Sequence, residues 1–261
     1  MDTVRAGGGV GLVVAAVLAG TILGARPAEA ASFINRGLTL PGGTFELGLG
    51  LGLGHLDAID YTGLGVNMEL GYGISHNLEL RFRTGLRFGT EGRVTQADYF
   101  GHPVETESFN PGVGRLRNPE IGLRIDLVSG GTAELALDTR LYLPVDGEFG
   151  VLFGIPVALN LGGRVRLDTG IFIPVIFYDN TDVDISVPIH LWFRLDGGTF
   201  LGPMTGIVFH DGGGETVPFG IGAGTSLAYD ADLRFWLLFP NIDDGGANDY
   251  WGAGIGLYVT F

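Results

Sequence analysis

Phe45-Glu46-Leu47-Gly48-Leu49-Gly50-Leu51-Gly52-Leu53 alternates without a slip. The odd positions are apolar, and the even ones are glutamate or glycine. Successive side chains of a β-strand point to opposite faces, so this run is a strand with one greasy side and one small or polar side. The next run repeats the pattern, with Leu64, Val66, Met68, Leu70 and Tyr72 against Asn67, Glu69, Gly71 and Gly73. A third sets Leu78, Leu80, Phe82, Leu86 and Phe88 against Glu79, Arg81, Arg83 and Arg87.

Continued to the C-terminus, the same reading predicts twelve strands, near 43–54, 63–74, 78–88, 119–128, 132–143, 151–161, 164–175, 183–195, 199–209, 217–228, 233–239 and 250–261. Short turns rich in Gly, Asn and Asp (Ser75-His76-Asn77, Ser129-Gly130-Gly131, Gly162-Gly163, Asp196-Gly197-Gly198) alternate with longer connections. Such turns need the positive φ that these residues tolerate. Short turns at one end and long loops at the other, with about ten residues per strand, describe an all-β, transmembrane, antiparallel up-and-down barrel. An even strand number puts both termini at the short-turn end, which is expected to be periplasmic. Aromatics at the ends of the apolar faces fit two interfacial girdles: Phe88, Phe153, Phe209 and Phe219 at one end, Phe45, Phe193, Phe235 and Phe261 at the other.

Composition agrees. The 261 residues include 47 Gly, 46% hydrophobic residues and no Cys, with a net charge of −14. Disorder and a disulfide scaffold are excluded. The acidic balance, carried without a single Lys, argues against nucleic acid as a partner. Gly9–Leu23 is uncharged and Ala28-Glu29-Ala30 offers small residues for cleavage, so residues 1–30 read as a signal peptide. Residues 31–42 then form a short periplasmic segment and 43–261 the barrel.

The last strand, Trp251, Ala253, Ile255, Leu257, Val259 and Phe261, alternates to a terminal aromatic. Here the chain resembles a Gram-negative outer-membrane β-barrel protein. The resemblance implies residence in the outer membrane, contact with its lipid, and recognition by the barrel-assembly machinery through Leu257, Val259 and Phe261. Gly73-Ile74-Ser75-His76-Asn77-Leu78-Glu79-Leu80 and Leu141-Tyr142-Leu143-Pro144 are similar to segments of transporter-type barrels of the meta-pathway phenol-degradation-like group.

Function is expected on the inward face. By parity it carries eight Arg (81, 83, 87, 124, 140, 166, 194, 234) against nine acids (Glu46, Glu69, Glu79, Glu120, Asp126, Glu134, Asp138, Asp168, Asp184), a nearly neutral lumen. Depth counting places Arg81 beside Arg124, Arg83 level with Asp138, and Glu120 level with Arg140. Two readings follow: an internal ion-pair ladder, or an anion strip centred on Arg81, Arg83 and Arg124. Trp192, Arg194 and Trp236 form a second inward group. Glycines of the first, second and last strands would leave one wall nearly bare, or else receive rings from across the lumen.

Loop 89–118 is long enough to be functional. The remaining loops are acidic, but none has the ligand spacing of a calcium loop, so they read as solvating and no metal or cofactor is implied. Asp184, Ser186 and His190 share a strand face, yet Ser186 and His190 stand about 13 Å apart along a strand, too far for a nucleophile and its base. No enzymatic activity is expected. The sequence therefore supports a narrow passive or weakly selective channel for small solutes, with a closed structural or surface-interaction barrel bearing acidic extracellular loops as the alternative.

Overall fold

The computed structural model describes residues 33–56, 61–88, 116–145, 148–177, 181–228, 230–242 and 250–261. The proposed signal peptide, most of loop 89–118, and the acidic residues at 57, 60, 146, 179, 243, 244 and 249 lie outside the described residues.

The chain forms a closed antiparallel barrel. Its strands are β1 (Phe45–Leu56), β2 (Tyr61–Ser75), β3 (Leu78–Phe88), β4 (Leu116–Val128), β5 (Ala133–Tyr142), β6 (Gly150–Leu161), β7 (Val165–Phe177), β8 (Thr181–Val183), β9 (Ile185–Arg194), β10 (Thr199–Phe209), β11 (Glu215–Thr216), β12 (Phe219–Ala228), β13 (Ala231–Phe239) and β14 (Tyr250–Thr260). β8 and β9 are one stave broken at Asp184, and β11 and β12 are one stave broken before Phe219, so the wall has the expected twelve staves. Each stave pairs with its neighbour, and β14 pairs with β1 from Glu46 opposite Thr260 to Leu56 opposite Tyr250. Phe45 and Phe261 exchange backbone hydrogen bonds of 2.7 and 2.8 Å, which finish the seam and bring both ends of the barrel chain together at the short-turn end. Closure leaves no unpaired edge, the condition for strands to cross hydrocarbon.

The period-two pattern decides which way each side chain points. Leu51, Leu64, Leu80, Ile121, Leu137, Ile155, Ile171, Ile189, Leu201, Ile221, Phe235 and Ile255 are all exposed on the outer face. The charged residues of the same strands are buried inside, including Glu46, Glu69, Arg83, Arg124, Asp138, Arg166 and Asp168. This is the inverse of a soluble β-protein and suits a wall with lipid outside. At the short-turn end Gly162 (φ 67°) and Gly163 (φ 75°) supply the left-handed turn between β6 and β7.

The sequence reading placed residues 31–42 outside the barrel. Instead, Phe33–Leu40 lie within it, across the short-turn end of the lumen. Phe33, Leu38 and Leu40 are almost completely buried. A single turn at Pro41–Thr44 then leads into β1, with Thr44 N donating to Pro41 O (3.1 Å). Gly73 makes this path available: a Cβ there would fall 2.1 Å from Pro41 O and 2.7 Å from Leu40 O. The segment lacks the alternation of the wall strands. A chain held by side chains rather than by strand pairing has no reason to alternate.

Candidate functional site

The lumen is built in sectors, each set by the strands that face it. On β3–β5 the charges form an ion-pair network. Arg81 Nε contacts Glu79 Oε1 at 2.6 Å. Arg83 lies between Glu69 (3.3 Å) and Glu120 (3.6 Å). Asp138 takes Arg124 on one side, through Nε at 3.0 Å, and Arg140 on the other, at 2.8 Å. Farther round, Arg166 Nε meets Asp168 Oδ1 at 2.7 Å, and Trp192 Nε1 donates to Asp168 Oδ2 at 3.0 Å. Pairing of this kind is what keeps a charge tolerable once water is excluded.

Arg81 and Arg124 are diagonal neighbours across β3 and β4, close as counted by depth, but the other layers are shifted. Arg81 lies opposite Gly122 and Arg83 opposite Glu120, while Arg124 is flanked by Glu79 and Asp138. Glu120 lies opposite Tyr142, and Arg140 opposite Gly122. Strands tilt in a barrel and the register staggers round it, so equal depth along the chain is not equal height in the wall. A bulge adds to the shift: Arg83 faces Glu120, but Gly85 faces Arg117. The extra residue turns both Arg117 and Asn118 inward. Arg117 then pairs with Glu120 at 2.5 Å. Parity places it in loop 89–118, and nothing in the alternation marks it as a lumen residue.

Rings cover the wall at several of its glycines. A Cβ on Gly48 would lie 2.7 Å from the Tyr258 ring, one on Gly222 2.4 Å from Trp192, one on Gly224 2.3 Å from Phe200, and one on Gly254 2.5 Å from Trp236. Each ring needs a glycine on a wall strand to lie against, which is the structural role the sequence offered as one of its two readings. Trp192 and Trp236, on strands that do not touch, line one small cavity together with His190, Phe200, Met204, Arg234 and Tyr258. Arg194 does not join them: it is exposed at the short-turn end of β9, past the last inward ring. Arg87 is buried near the long-loop end of β3. Asp184, rather than approaching Ser186 and His190, contacts His210 Nδ1 at 3.2 Å.

The inserted segment is the feature that organises the short-turn end. Lumen carboxylates and guanidiniums take up its polar groups one by one. Phe33 N donates to Asp232 Oδ2 (2.7 Å), Leu38 N to Glu134 Oε2 (2.9 Å), and Leu40 N to Glu79 Oε2 (2.8 Å). Thr39 Oγ1 donates to Asp126 Oδ2 at 2.5 Å. Asp126 is therefore a half-buried anchor for this segment rather than part of the arginine strip. The Arg36 guanidinium bonds Glu46, Arg124 Nη1 donates to Leu38 O (3.1 Å), and Arg166 Nη1 donates to Arg36 O. Burial opposes the charge on Arg36, but Glu46, with Glu79 and Asp232 behind it, outweighs that and raises its pKa. Leu38 packs in an apolar cluster with Ala136, Tyr142, Leu152, Ala158, Phe172 and Ile176. Phe33 packs with Trp192, Phe200, Met204, Trp236, Leu238 and Tyr258. Glu79, Glu134, Asp232 and Arg166 thus work on the segment, which sequence reasoning missed because their partners carry no strand signal.

No family model matches the chain, and no curated protein matches it. The fold does match solved structures. The NanC porin superimposes with a TM-score of 0.58 at 5% identity, over 82% of this chain and 98% of that one. The COG4313 outer membrane channel from Pseudomonas putida F1 gives 0.57 at 14% identity, over 91% of this chain and all of that one (100%). The KdgM porin gives 0.53 at 6% identity, over 82% and 99%. The fold is that of the outer-membrane porins.

Proposed function

We propose that this protein is a narrow outer-membrane channel for small solutes, closed in the described conformation by its own segment Phe33–Leu40. The observation that carries this reading is how the segment is held. It adds no strand to the barrel, so it can leave without breaking the wall's hydrogen-bond ladder. Its anchors are side chains of Glu46, Glu79, Asp126, Glu134 and Asp232, with Arg124 and Arg166, all at the short-turn end. A permanent filler could have been supplied by bulky inward residues on the strands, as rings already do over Gly222 and Gly254. With the segment withdrawn, the lumen wall would present Arg81, Arg83, Arg124 and Arg140 beside Glu69 and Asp138, a paired strip that favours weak selectivity. Outer-membrane lipid is the expected partner of the outer face. The barrel-assembly machinery is the expected reader of Leu257, Val259 and Phe261.

The chain contains no Cys, which makes the test clean. Thr39→Cys with Asp126→Cys, bridged by a short bifunctional thiol reagent, ties the segment to β4. In planar bilayers the unbridged protein should show discrete conductance steps, and the bridged protein none until the link is cleaved. Equal conductance in both forms would show that the segment is not the gate. Silence in both forms of a folded barrel would favour the closed, structural reading.

A further inference from the structure

Phe33 occupies a cage shaped for a ring. It stacks on Phe200 (centroids 5.1 Å apart, 21° between planes) and meets Trp192 edge-on (5.1 Å, 86°). The Arg234 guanidinium faces it at 4.6 Å and also lies against the Tyr258 ring at 3.7 Å. Trp192 is itself fixed by its hydrogen bond to Asp168. The cage is continuous with the small cavity bounded by His190, Met204 and Trp236.

Within this cage Arg234 is short of acceptors. It is buried, yet its nearest carboxylate contacts are 3.7 Å to Asp232 and 3.9 Å to Glu46. Its Nε and Nη1 meet no hydrogen-bond acceptor among the described residues. Both neighbouring acids are already engaged: Asp232 accepts from Phe33 N and from Ser226 Oγ (2.8 Å), and Glu46 takes Arg36. A buried guanidinium with unused N–H groups is costly, and its planar fork is the natural partner of a carboxylate.

We propose that this cage is a binding site for small aromatic carboxylates, and that Phe33 is its built-in occupant. The ligand's ring takes the place of the Phe33 ring against Phe200 and Trp192, and its carboxylate accepts from the unused Nη1 of Arg234. Only the Phe33 side chain has to swing aside. Arg36 stays on Glu46, which keeps that acid from claiming Arg234. The proposal rests on the channel reading only for how a solute reaches the cage, because binding itself needs no conduction.

The test uses benzoate as probe, with benzyl alcohol (ring without charge) and acetate (charge without ring) as comparisons, read by tryptophan fluorescence of the folded barrel. Phe33→Ala should bind benzoate at least about tenfold more tightly than benzyl alcohol, the discrimination expected of a charge-assisted buried hydrogen bond, and should not bind acetate. The unaltered protein should bind benzoate about tenfold more weakly than Phe33→Ala, because its own ring must be displaced. Adding Arg234→Gln should reduce benzoate to the level of benzyl alcohol. If the glutamine variant does not fold, Arg234→Lys, which keeps the charge but loses the guanidinium, should weaken benzoate binding relative to Phe33→Ala alone, and undiminished binding would overturn the proposal. Equal affinity of Phe33→Ala for benzoate and benzyl alcohol would reduce the cage to a plain apolar void and overturn the proposal. So would absence of benzoate binding by that variant in its folded form. Benzoate binding without conductance would leave this site standing and remove the channel reading instead.

Discussion

Arg36 and Glu46 form a buried ion pair between residues only ten apart in the chain, one on the inserted segment and one on the first strand of the wall. The pair closes across the turn at Pro41–Thr44, so the chain doubles back into the barrel it is about to build. Arg234 stands behind it, 3.9 Å from the same carboxylate. Glu46→Ala would leave two buried guanidiniums without their shared acid. Removal of one partner from a buried pair costs about 3–5 kcal/mol. A lower thermal unfolding temperature and more frequent channel opening are the expected outcomes. An unchanged melting curve would show that the pair does not anchor the segment.

Arg83 is held between Glu69 and Glu120. Arg83→Ala should take the cation from Glu69 and leave Glu120 with Arg117 alone. The barrel should unfold at lower temperature, and its reversal potential in a salt gradient should move toward cation preference. A shift toward anions would contradict the pairing described here.

The ring-on-glycine packing sets up a contrast between two glycines. Gly48→Val pushes a branched side chain into the Tyr258 ring, because even a Cβ would lie 2.7 Å from it. Overpacking of this kind costs about 1–3 kcal/mol. Gly212→Ala, with nothing within 4 Å of the new Cβ, should melt as the parent does. Denaturant unfolding of the two variants side by side separates a packing role from general glycine loss.

The outer face should show the depth dependence of a bilayer. Ile155 lies mid-strand on β6, whereas Leu227 lies near the short-turn end of β12, and both are exposed outward. Arginine at Ile155 should cost about 2–4 kcal/mol and at Leu227 about 0–1 kcal/mol in lipid vesicles. Equal penalties would argue that the band is not centred on the bilayer as the strand ends suggest.

The wall was legible in the sequence because its physics is local. An alternating strand declares its two faces residue by residue, so Leu51 outside and Glu46 inside follow from parity alone, as do closure of β14 on β1 and the burial of Phe172, Trp192, Phe200 and Trp236. Arg194 shows where parity stops being informative: it points the same way as Trp192 but lies beyond the end of the filled lumen. Arg117 shows what a bulge does, since one extra residue on β4 puts it on the same inward face as Glu120, three positions away.

What the tertiary structure alone decided is the partnership of each inward charge. Tilt and stagger, which leave no trace in a single strand's pattern, put Arg83 opposite Glu120 and Arg124 opposite Asp138. The entry of Phe33–Leu40 into the lumen is likewise invisible in its own residues. That segment has neither period two nor a helical period, because it is held by Asp232, Glu134, Glu79 and Asp126, contacts spanning 39 to 199 positions of sequence. Alternation records which side of a wall a residue faces. Only closing the wall determines what it meets there.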